Sequence, residues 1–173
     1  MTDTRTTTDT DTTTRTVRVF RVYIKASAEQ VWEAITSPEW TARYGYQTAS
    51  HYDLRPGGAY TSHSNEQMLG MGLPDVVVDG EVLEADPPKR LVQTWRFHFM
   101  PEHVAEGFTT VTWDIHEDEG NVTRLTVSHD VTDAPLMADM IEGGDRLGEG
   151  GGGWAWVISD LKSLLETGKI LSD

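Results

Sequence analysis

The side chains with the most chemical potential stand at alternate positions of three apolar runs. Trp95, Phe97 and Phe99 alternate with Arg96 and His98. Val111, Trp113 and Ile115 alternate with Thr112, Asp114 and His116. Leu125, Val127 and His129 alternate with Arg124, Thr126 and Ser128. A period of two puts each apolar set on one face of a strand, with the polar set opposite. His129 is the polar member of an otherwise apolar face. An imidazole there orients a ligand, acts as a general base, or bonds within a core, and all three readings stand open. Tyr60 and Ser62 share a face of another strand, and their hydroxyls suit a ligand or a structural bond equally. Asp53 and Arg55, ahead of Pro56-Gly57-Gly58, read as an ion pair that steadies a turn.

Other chemistry is poorly represented. Residues 143–153 are glycine-rich, but no strand precedes them and no Lys-Ser/Thr follows, so a hinge fits better than a phosphate loop. His98 and His103 flank Pro101 without a third ligand, so no metal is expected, and no cofactor either. No Gly-x-Ser-x-Gly elbow is present. Cys is absent, which removes disulfides, thiolate metal sites and a Cys nucleophile. That composition, with no apolar leader, fits a cytoplasmic protein. Fourteen Lys and Arg face 28 Asp and Glu, for a net charge of −14. Such a surface repels phosphate backbones and anionic lipids, which argues against nucleic-acid and membrane partners. No apolar run approaches the roughly 20 residues of a membrane span.

These residues need elements to position them. Residues 1–16 hold ten Thr and nothing apolar after Met1, so they read as a disordered tail. Residues 17–173 read as one domain. Val17 to Lys25 is a strand. Ser27-Ala-Glu-Gln30 is a capping box for a helix carrying Val31, Trp32 and Ile35. Ser37-Pro38-Glu39 restarts a helix that Gly45 ends. Strands follow over 48–54, 59–64, 76–85, 90–100, 108–117 and 122–131, with Pro56-Gly57-Gly58 and residues 118–121 as hairpin turns. Residues 65–74 read as a Gly- and Met-rich loop. Residues 134–142 read as a short helix and 150–153 as a flexible run. Trp154, Val157, Ile158, Leu161, Leu164 and Leu165 form the apolar stripe of a final helix. Ser159, Asp160, Lys162, Ser163 and Glu166 lie mostly opposite.

Three stretches carry a family resemblance. They are Ile24 to Ile35, Asp53 to Gly58 with Gly80 to Trp95, and Gly153-Trp154 with Leu161 to Gly168. In this order the chain resembles the START-like superfamily of polyketide cyclases and lipid carriers. Within it, the chain is most similar to the branch named after the activator of the heat-shock chaperone ATPase. The Thr-rich start, the Val22-Tyr-Ile-Lys25 strand and Asp79 to Pro88 also resemble START-like proteins of actinobacterial enediyne clusters. The resemblance implies an α+β helix-grip fold, a curved antiparallel sheet of about seven strands around a long C-terminal helix. Two short helices follow the first strand. It also implies a ligand cavity, where the stripes alone fit a packed core as well. The expected wall comprises Trp40, Tyr44, Tyr60, Trp95, Phe97, Phe99, Trp113, Val127, His129, Trp154 and Ile158, with no residue assigned to catalysis. The implied function is binding of a bulky apolar small molecule, a polyketide or enediyne, for self-resistance or biosynthesis. A polyketide cyclase or aromatase using the same cavity is the alternative, and a chaperone-ATPase cofactor the second.

Overall fold

The computed structural model describes residues 14–144 and 151–173. The chain opens with strand β1 (Val17–Ile24), whose even-numbered side chains turn inward. The capping box forms: Gln30 N–H donates to Ser27 Oγ at 3.2 Å, and Ser27 N–H donates to Gln30 Oε1 at 2.9 Å. It starts α1 (Ala28–Thr36), and Pro38 opens α2 (Pro38–Thr41). Six strands follow: β2 (Ala49–Tyr52), β3 (Ala59–His63), β4 (Val76–Asp86), β5 (Arg90–Phe97), β6 (Thr109–Asp118) and β7 (Val122–Asp130). They form one antiparallel sheet in the order β1-β7-β6-β5-β4-β3-β2. The last helix is α6 (Gly153–Thr167), so the architecture is the α+β helix grip expected.

Three further helices interrupt the strands: α3 (Glu66–Gly70), α4 (Pro101–Glu106) and α5 (Pro135–Glu142). Only α5 was legible in the sequence. Residues 65–74 are not a plain loop, because the Asn65 side chain accepts the Met68 N–H at 2.9 Å and caps α3. The strand expected to reach Met100 stops at Phe97, and Pro101, lacking an N–H, takes the first turn of α4.

The main core joins α1, α5 and α6 to the β1-β7-β6-β5 part of the sheet, around Val31, Ile35, Leu91, Val111, Leu125 and Leu161. A smaller core of Tyr60, Val77 and Val78 lies under β3 and β4. One expectation about α6 is corrected. Asp160 does not face water: it is 1% exposed, accepting Gly45 N–H at 2.8 Å and Leu171 N–H at 2.6 Å. Its carboxylate satisfies two loop amides that no strand or helix reaches. Of the expected tail, residues 1–13 lie outside the described residues. Arg15 meets Asp130 at 2.5 Å, and the Thr16 carbonyl accepts Val131 N–H at 2.9 Å.

Candidate functional site

A hollow of about 1140 Å³ opens at the seam between the two cores. One wall is the inner face of β2 to β6, through Tyr52, Tyr60, Val78, Trp95, Phe97 and Trp113. The other is the first turn of α6, through Gly153, Trp154, Trp156 and Val157. Met68 and Met71 of the α3 segment and Met140 of α5 close the sides.

The sheet wall is a continuous run of aromatic rings. Tyr52 stacks on Tyr60 with centroids 4.5 Å apart, and Tyr60 on Trp95 at 5.4 Å. Trp95 meets Trp154 edge-on at 5.3 Å, and Trp154 meets Trp113 at 5.1 Å. Phe97 joins Trp95 at 6.0 Å and Phe99 at 4.9 Å. The rings pack on one another and line the hollow at once.

A polar pole closes the end of this wall. Ser50 Oγ donates to Ser62 Oγ at 3.2 Å, and Thr41 Oγ1 accepts the Ser50 N–H at 2.8 Å. Burial pushes the Tyr60 hydroxyl up to about 12, against the partial relief of neighbouring Ser50, Ser62, Tyr52 and Gln93. Burial likewise raises Tyr52 and Tyr44. These hydroxyls therefore stay neutral, able to donate and to accept. Gln93 is fully buried, and its amide stands near enough to Tyr52 and Tyr60 to lower both slightly.

His129 lies behind Trp154, outside the lining. Trp154 Nε1–H donates to its Nδ1 at 3.1 Å, and its Nε2 lies 2.7 Å from Thr109 Oγ1. Thr109 in turn donates to the Trp95 carbonyl at 3.0 Å. Nδ1 is thus an acceptor and Nε2 carries the hydrogen, a tautomer assigned from the network. Burial lowers the imidazole to about 3, so it stays neutral near neutral pH.

The chain matches the family described as activator of Hsp90 ATPase homolog 1-like protein over residues 25–166. The chain belongs to this family. Among curated proteins no sequence matches it. Among solved structures it is similar to CalU16 from Micromonospora echinospora, with a TM-score of 0.60 at 22% identity over 89% of this chain and 78% of that one. It is similar to DynU16, a protein of the dynemicin biosynthetic locus, with a TM-score of 0.59 at 24% identity over 89% of this chain and 48% of that one. It is also similar to an HSP90 activator from Plasmodium falciparum, with a TM-score of 0.53 at 20% identity over 90% and 91%. At these identities the likeness is one of fold.

In this member of the Hsp90-activator-like family, the hollow brings together Tyr44, Tyr60, Trp95, Phe97, Phe99, Trp113 and Trp154 of the expected wall. It does not take in the other four. Val127, His129 and Ile158 point inward but sit in the main core, and Trp40 lies half-buried under the Arg43 guanidinium, 4.7 Å away. Sequence reasoning missed Tyr52, Ser50 and Trp156. Tyr52 and Ser50 belong to a strand of only four residues, too short for alternation to speak. Trp156 lies off the apolar stripe of α6, and loop chain around Gly45 brings it to the hollow: its Nε1–H donates to the Gly45 carbonyl at 3.4 Å. Among the described residues no group of three or more His, Cys, Asp and Glu is placed to hold a metal. No helix among them is long and apolar enough to cross a membrane.

Proposed function

We propose that the protein binds a bulky, mostly apolar natural product of the polyketide class, an enediyne or its precursor, and releases it unchanged. The purpose is self-resistance or biosynthesis by sequestration. The observation that carries the reading is the aromatic wall joined to a pole of neutral hydroxyls around one hollow. Flat rings present polarizable faces to a fused-ring ligand, and the volume of about 1140 Å³ lies just above the roughly 300–1,000 Å³ typical of ligand sites, room enough for a bulky one. Proton transfer would ask for a group that titrates near neutral pH. The Tyr60 hydroxyl is pushed far above that range, and His129 is pushed far below it. A protein of the dynemicin biosynthetic locus shares the fold, which supports a natural product of that kind as the ligand.

The test is titration of the protein's tryptophan fluorescence with fused-ring polyketides, followed by chromatography of the recovered ligand. Saturable quenching with ligand recovered intact is the expected result. A cyclised or aromatised product, formed faster than in buffer, would replace this reading with the cyclase. Absence of quenching, together with tight association to an Hsp90-type ATPase, would replace it with the chaperone cofactor.

A further inference from the structure

The hollow's charge is as informative as its shape. Its lining contains no Lys, Arg or His among the described residues, and its one ionised group is the carboxylate of Asp139, on the exposed side of α5 at the rim. The whole chain carries a net charge of −14.

We infer that the hollow selects its ligand by charge, taking aromatic molecules that are neutral or bear an amine and rejecting those that bear a carboxylate or phosphate. The inference rests on the hollow being a ligand site. An anion entering it gives up water and finds no cation among the described residues of the lining, against the field of the whole protein. A neutral carbonyl or hydroxyl gives up less water than an anion does, and the Ser50, Ser62 and Tyr60 hydroxyls, now bonded to one another, can turn to meet a donor or an acceptor. An ammonium meets the Asp139 carboxylate at the rim and the faces of Trp154 and Trp156 inside. The selection would therefore act against free polyketide acids and anionic carriers, and in favour of finished neutral or amino-bearing products.

The experiment uses three probes that share one ring system: pyrenylmethanol, pyrenylmethylamine and pyrene-1-carboxylate. Each is titrated into the full chain at neutral pH, in low and in 0.5 M salt (about 4 Å of screening length). The expected result is a carboxylate affinity about tenfold or more below that of the alcohol, with the gap narrowing in high salt. The amine binds at least as well as the alcohol. Asp139→Asn weakens the amine alone. Met71→Arg, at a lining position that is 66% exposed, strengthens the carboxylate without endangering the core. Three equal affinities, or a carboxylate unmoved by salt and by Met71→Arg, would overturn charge selection and leave the ligand site standing. Failure of all three probes to bind would overturn the ligand site itself, and this inference with it.

Discussion

Both imidazole nitrogens of His129 are engaged, one accepting from Trp154 and one facing Thr109. A residue that by type is the first candidate for a general base instead anchors the indole that forms part of the hollow's wall. This has a consequence in pH. The folded value, about 3, lies below the ordinary 6.5. The unfolded chain therefore takes up a proton at a pH where the folded one does not. The contribution to stability is complete above 6.5 and is lost as pH falls from there toward 3. One proton gives a slope of about 1.4 kcal/mol per pH unit, or about 2 kcal/mol between pH 6.5 and 5. Urea denaturation at pH 7, 6 and 5 is expected to show stability falling, by about half this slope from 7 to 6 and by nearly all of it from 6 to 5, and His129→Gln, which keeps a donor and an acceptor without titrating, to flatten the fall. Identical slopes in the two proteins would mean that the imidazole is accessible to protons in the fold.

At the scale of elements, α6 has two duties. Its stripe of Ile158, Leu161 and Leu164 seals the main core, while its first turn faces the hollow. Leu161 is fully buried, so Leu161→Ala is expected to cost about 2–5 kcal/mol in chemical denaturation. A loss below about 1 kcal/mol would mean that the core closes over the gap. The start of the helix is held by steric fit. Gly153 has φ 52°, and a Cβ there would lie 2.0 Å from the Ile141 carbonyl oxygen. The glycines once read as a flexible run thus include one demanded by a close crossing of α5 and α6.

At the scale of the whole molecule, the hollow follows from coverage. Seven strands at about 4.8 Å spacing span about 29 Å, and one helix is about 10 Å across. α6 therefore covers part of the sheet, and beyond its first turn Met68 and Met71 of the α3 segment and Met140 of α5 border the hollow instead. The N-terminus shows how local the boundary of the fold is. Deleting residues 1–13 is expected to leave the melting temperature within about 2 °C, since their composition offers nothing to bury. Deleting 1–16 also removes the Thr16 bonds to Val131 and Thr132 and the Arg15–Asp130 pair, and is expected to lower it by about 3 °C or more. Equal melting temperatures for the two deletions would mean that the Arg15 and Thr16 contacts contribute nothing.

By itself the sequence determined what depends on neighbours along the chain. Alternation in β5, β6 and β7 told which side chains turn inward, Ser27 and Gln30 announced α1, and Pro101 could have announced α4, since caps and pleats are set within a few residues. The family resemblance extended this to the helix grip. Only the tertiary structure decided which inward side chains meet space and which meet protein. Trp95, Val127 and His129 all point to the same side of one sheet, yet Trp95 lines the hollow while Val127 and His129 are core. The difference is where α6 crosses the strands, and that crossing is fixed by contacts between residues more than a hundred positions apart, such as Asp160 with Gly45 and Lys162 with Tyr23. No periodicity in the sequence records such a meeting.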